Sequence, residues 1–163
     1  MRAGSSGGMH VMELIAQVLG NRVLVSTVCG WFFAQLLKMI IEVIKGGFSI
    51  ERLKGSGGMP SSHSATVCAL ALSTAITEGP GSTQFAIAFF FAIIVMYDAM
   101  GVRHVTGEQS RILNRLKKRD EEEGRSPLYE GKLEEKMGHT VPEIGAGMLV
   151  GFLTAAAVCA LMR

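Results

Sequence analysis

Three stretches of this chain, Val23 to Ile44, Phe85 to Met100 and Val141 to Met162, are apolar and almost free of charge. A hydrocarbon core of ~30 Å asks for about 20 apolar residues in a helix, so these stretches read as membrane spans. A fourth, shorter apolar helix from about Ser64 to Ile76 stops at Glu78-Gly79-Pro80-Gly81, where Gly and Pro break it. The expected fold is an all-α integral membrane bundle of about four transmembrane helices.

Charge supports this reading. Only 18% of residues are charged against 48% hydrophobic, and most of the charge sits in one block between Arg103 and Lys136. Mean hydropathy is +0.34, high for a soluble protein. The expected organisation is an N-terminal segment, 1–21, weakly amphipathic from Val11 to Leu19, followed by a single transmembrane domain, 22–163. A charged loop at about 103–138 interrupts that domain. Within the loop, Glu108 to Lys118 has helical spacing, with Ile112, Leu113 and Leu116 on one side. It reads as an amphipathic helix resting on the bundle or the headgroups. Asp120 to Glu123 reads as solvated, and a break is expected around 124–127.

Four crossings put the first loop and the charged block on one side. That side carries twelve Lys and Arg, three in the loop (Lys45, Arg52, Lys54) and nine in the block, against Arg2, Arg22 and Arg163 opposite. The positive-inside rule then makes both polar segments cytoplasmic and puts the termini outside, in a cell (inner) membrane. Cys29, Cys68 and Cys159 all lie in apolar runs without metal-ligand spacing and read as small core residues. No aromatic-plus-basic pattern suggests nucleic acid.

The costly polar residues collect at one end of this bundle. Lys38 and Glu42 lie near the end of the first span, and His63 starts the second. Asp98 and Arg103 end the third, and His139 with Glu143 starts the fourth. An unpaired ionisable group at membrane depth costs at least ~2.5 kcal/mol, so such groups gather in the interior and mark function. Local readings exist for each: a Lys38–Glu42 pair one turn apart, an Asp98–Arg103 pair, His139 as a cap. None of them accounts for the clustering.

Ahead of the second span runs Gly55-Ser56-Gly57-Gly58-Met59-Pro60-Ser61-Ser62-His63-Ser64-Ala65. Glycines leave backbone amides uncovered, Ser61 or Ser62 can cap the helix, and a helix N-terminus attracts anions, so the stretch is suited to phosphate. Glu143 stands four residues after His139 and can fix the imidazole tautomer, which makes the other nitrogen a better nucleophile. A metal held by the two His, Glu143 and Asp98 is the rival chemistry. No HExxH or carboxylate cluster favours it.

The segments GGMPSSHSA, YDAMGVRHVTGEQSRILN and KMGHTVPE, with AQLLK at Ala34 to Lys38, resemble the divergent branch of the type 2 phosphatidic acid phosphatase superfamily. Its members are also described as acid phosphatase/vanadium-dependent haloperoxidase-related proteins. The resemblance implies metal- and cofactor-free phosphoryl chemistry on a phosphorylated lipid. It makes His139 the nucleophile that becomes phosphohistidine, Glu143 its orienting carboxylate and His63 the general acid. Lys38, Gly58, Ser61, Ser62 and Arg103 would bind phosphate, with Asp98 and Glu108 in support. No Arg-Pro follows Lys38, and Leu133 stands where the superfamily's third motif carries arginine. Charge compensation would therefore fall to Arg103, Lys54, Lys132 or Lys136. Four helices are fewer than the superfamily's usual six, and a homodimer would complete the walls. The alternative is a non-catalytic membrane protein that binds or translocates a phosphorylated lipid headgroup.

Overall fold

Asn21 opens the first long helix by accepting the Leu24 amide on its side-chain oxygen at 3.0 Å. The helix it caps crosses without interruption to Ile44. In this computed structural model, which describes residues 6–44, 58–127, 129–135 and 137–162, the chain forms α1 (Ser6–Gly20), α2 (Arg22–Ile44), α3 (Ser62–Glu78), α4 (Thr83–Met100), α5 (Val102–Glu122) and α6 (Val141–Leu161). Helices α2, α4 and α6 are long and apolar enough to cross a membrane. The 17 residues of α3 span only about 26 Å.

Helix α3 is nonetheless the centre of the bundle, with α2, α4 and α6 all packed on it. Its buried face is made of small residues, among them Ser64, Ala65, Cys68, Ala69 and Ser73. The hydroxyls in its body are satisfied inside the helix. Ser73 donates to the Ala69 carbonyl at 2.6 Å and Thr74 to the Leu70 carbonyl at 2.8 Å. Those bonds let a hydroxyl-rich helix sit among apolar neighbours without orphaned polar groups.

Close approach follows from glycine. A Cβ on Gly147 would run into the Ser61 carbonyl oxygen, and one on Gly151 into that of Ala65. On the other side, a Cβ on Gly30 would meet Ala69 Cβ at 2.8 Å. Helix α3 is thus clasped between α6 and α2 at backbone distance. The large apolar side chains, such as Phe90, Ile94 and Leu153, point outward and are exposed, as expected where lipid is the solvent.

The charged block departs from the expected short helix. Helix α5 runs the full length from Val102 to Glu122, separated from α4 only by Gly101. The chain then returns beside α5 as a strap without secondary structure. Asn114 fastens it, donating to the Leu133 carbonyl and to Glu135 Oε1, both at 2.8 Å, and accepting from the Leu133 amide and the Tyr129 hydroxyl. Glycine again sets the spacing: a Cβ on Gly107 would sit 2.8 Å from the Glu135 carbonyl oxygen.

Candidate functional site

The strap delivers His139 to the end of the bundle. Its amide donates to the Ala99 carbonyl at 3.0 Å, which ties it to the last turn of α4. Gly138, at φ 84°, makes the turn in a conformation that L side chains avoid. A Cβ there would also lie 2.7 Å from the His104 amide nitrogen.

The imidazole of His139 is 3% exposed. Neither ring nitrogen has a hydrogen-bond partner among the described residues. The nearest charge is Glu143, whose Oε2 lies 3.5 Å from Nδ1. That carboxylate is itself fixed, because Oε2 accepts the Thr140 amide at 2.9 Å, as the third residue of a helix does in a capping box. The Glu143 carbonyl accepts the Ser61 amide at 2.9 Å, so one residue joins the start of α6 to the start of α3. Burial pushes the His139 pKa below the ordinary 6.5. Glu143 opposes this, while His63 and the Lys38 ammonium push the same way as burial. Burial, the largest of these influences, thus favours the neutral ring.

His63, the second residue of α3, is exposed and faces His139 edge-on, with ring centroids 6.0 Å apart. It lies within electrostatic reach of Arg103, Lys38 and Asp98. Lys38 is buried, with its side chain against Gly58: a Cβ on that glycine, which has φ 107°, would lie 2.9 Å from Lys38 Cε.

Not every phosphate-binding residue expected from the sequence presents itself in the same way. Ser61 is fully buried, and its hydroxyl oxygen caps α3 by accepting from the Ser64 amide and hydroxyl. Ser62 is half-buried. Arg103 donates to Asp98 Oδ2 at 2.9 Å. Gly55, Ser56 and Gly57, with Lys45, Arg52, Lys54 and Lys136, lie outside the described residues.

Beside His139 opens a cleft of ≈ 160 Å³ whose walls include Gly58, Glu108, Glu143, His104 and Arg111. The last two escaped the sequence reading. Their signal was the spacing His104, Glu108, Arg111, which puts all three on one face of a helix. Arg111 donates to Glu108 Oε1 at 2.8 Å and stands 4.0 Å from Glu135 Oε2. A cation therefore lines the cleft although Leu133 carries none, and it is held between two carboxylates. Leu133 itself is bound to Asn114 through its backbone. Among the described residues, no group of three His, Cys, Asp or Glu is placed to hold a metal ion.

Such an arrangement can hold an oxyanion against a neutral, carboxylate-backed imidazole with a second imidazole opposite. Known proteins place the chain in a family. Residues 19–154 match the family described as the Divergent PAP2 family. A Bacillus subtilis (strain 168) protein named Uncharacterized membrane protein YuiD is 35% identical over 147 residues, covering 84% of this chain and 93% of its own. No solved structure matches the chain. The family match takes in the end of α1, all of the site and most of α6, and by that match the chain belongs to the Divergent PAP2 family.

Proposed function

We propose that this protein is a membrane-embedded phosphatase or phosphotransferase that acts on a phosphorylated lipid through a phosphohistidine at His139. The observation that carries the reading is the His139 ring: buried, without a hydrogen-bond partner at either nitrogen among the described residues, backed by Glu143 at Nδ1 and faced by His63. With Nδ1–H turned to Glu143, Nε2 attacks phosphorus in line. The bond from phosphorus to the lipid oxygen breaks, and His63 gives that oxygen its proton. Water, or an acceptor alcohol in a transfer, then attacks the phosphohistidine and gives its proton to His63, and the bond from Nε2 to phosphorus breaks to return His139 to its neutral state. Lys38, Ser62, Arg103 and the Gly58 amide hold the phosphoryl oxygens, with Arg111 beside them and Asp98 and Glu108 orienting the two arginines. Ser61 keeps the turn in shape. The site faces the cytoplasm from the cell (inner) membrane, and a second copy supplies the walls that a four-helix bundle lacks.

One observation favours a second reading, in which the headgroup is bound or translocated without turnover. The arginines nearest the site are already paired, Arg103 with Asp98 and Arg111 with Glu108. A transition state that gains negative charge has less free cation to meet it.

The test is phosphate release from lipid phosphomonoesters and prenyl diphosphates by the purified protein in nanodiscs, beside a His139→Ala control. Release that His139→Ala abolishes supports the catalytic reading. Equal release from both proteins sinks it. Binding of lipid phosphate without release moves the assignment to the second reading.

A further inference from the structure

Helix α5 has three faces, and two are occupied. Gly107 and Asn114 meet the strap and Ser110 beside them is buried, while His104, Glu108 and Arg111 line the cleft. The third face carries Val102, Val105, Ile112, Leu113 and Leu116, all between 40% and 60% exposed. At 3.6 residues per turn these five fall within an arc of about 100°.

What covers this stripe can be read from the helix before it. Ile87, Phe90, Ile94 and Tyr97 form the most exposed row of α4, a span, and meet lipid. They recur every three or four residues. The hydrogen-bond ladder runs on through Gly101, whose amide donates to Tyr97 and whose carbonyl accepts from Val105, so the register is kept. On that register the row continues through Gly101 into Val105, Ile112 and Leu116. Gly101 itself, at φ −95° and ψ −80°, departs from the helical values of about −63° and −42°, and marks where the axis turns.

Charge agrees with lipid as the occupant. Arg119 falls between the stripe and the cleft face, whereas Arg115 falls on the cleft face and Lys118 beyond it. Lys118 and Arg119 have only exposed partners, Glu122 at 3.7 Å and Glu123 at 3.8 Å, and such pairs hold their bases weakly. A base at the edge of an apolar stripe, with two more further round the helix, suits an anionic headgroup layer, with the long side chains snorkelling toward phosphate.

We infer that α5 lies along the surface of the bilayer that α4 crosses, with its apolar stripe at the boundary of headgroups and acyl chains and its bases, Arg119 nearest the stripe, reaching anionic lipid. The cleft face of the same helix then opens at headgroup level. A second copy of the chain is the rival occupant of the stripe.

The test uses the full chain in nanodiscs of phosphatidylcholine with or without phosphatidylglycerol. Nitroxide labels are placed at Ile112→Cys, Leu116→Cys or Ser126→Cys after Cys29, Cys68 and Cys159 are changed to Ala. At Ile112 and Leu116, collisions with oxygen should exceed those with a water-soluble nickel complex, and the ratio should rise severalfold with phosphatidylglycerol. At Ser126 the order should reverse. Changing Arg115, Lys118 and Arg119 to Gln should remove the response to phosphatidylglycerol. Nickel-favoured labels at both stripe positions would overturn the inference. So would shielding from both reagents with nitroxide–nitroxide broadening, the mark of a second copy, or an equal ratio in the two lipid mixtures.

Discussion

His139 and Glu143 combine two effects that act in opposite directions on one ring. Burial favours neutral imidazole, while the carboxylate 3.5 Å from Nδ1 favours the charged form, and burial prevails. The folded pKa lies below the unfolded value of 6.5, so the unfolded chain binds the extra proton first. The stability this ring contributes is present above pH 6.5 and is lost as pH falls through the folded pKa. Turnover should therefore fail on the acid side with an apparent pKa below 6.5. Glu143→Gln removes the charge that raises the pKa, so the acid limb should move to still lower pH. The plateau should drop by about 10²-fold as the tautomer loses its anchor. Anion affinity should change little, whereas Lys38→Ala should weaken binding and turnover alike. Phosphate-release profiles against pH for the three proteins check this, and an acid limb that Glu143→Gln leaves in place would remove Glu143 from the role. The pairing of His63 with His139 was legible in the sequence because ionisable groups at membrane depth have few places to go. The use of Ser61 as a cap was not, since either of two adjacent serines can serve and only the backbone angles choose.

Helix α5 and its strap set where His139 stands, and of the two only the middle of the helix was legible in the sequence. From Gly124 to Met137 no period of two or 3.6 marks an element, because the strap takes its shape from Asn114 and two glycines rather than from its own residues. Helix α5 was readable from Glu108 to Lys118, where apolar and charged residues alternate at helical spacing. Arg103, in its first turn, reads instead as the end of the third span. Asn114→Leu should free the strap by removing four hydrogen bonds at roughly 1 kcal/mol each. Hydrogen exchange over 129–139 should then rise while α3 and α6 stay protected. Gly138→Ala should act more locally, since its Cβ meets the backbone of His104 and the residue must leave its left-handed turn. The expected result is loss of His139-dependent activity with the helices intact by circular dichroism. Full activity in both variants would mean that His139 is placed by α6 alone.

Four helices crossing in alternate directions, the topology expected from the sequence, would put both polar connections on one side, and the orientation of the molecule follows from that parity. The long spans were legible because apolar runs of 20 residues have one use; α3 was legible as an apolar helix but not as the centre of the bundle. Its small side chains carry little hydropathy, and their value lies in letting α2 and α6 approach its backbone. Parity alone leaves two orientations, and the sequence favours one of them: twelve Lys and Arg fall in the first loop and the charged block, against three in the remaining segments outside the spans. The predicted orientation puts Ser126 in the cytoplasm and Gly81, in the open turn between α3 and α4, outside. In a chain freed of its own cysteines, an impermeant maleimide added to intact cells should label Gly81→Cys and leave Ser126→Cys unlabelled until the membrane is opened. The reverse pattern would put the site on the outer face and make lipid phosphates of the outer leaflet its substrates. Labelling of both positions in intact cells would break the four-crossing parity itself. The buried centre argues against that outcome, because α3 is covered by α2, α4 and α6 and is not free to leave the membrane while they remain.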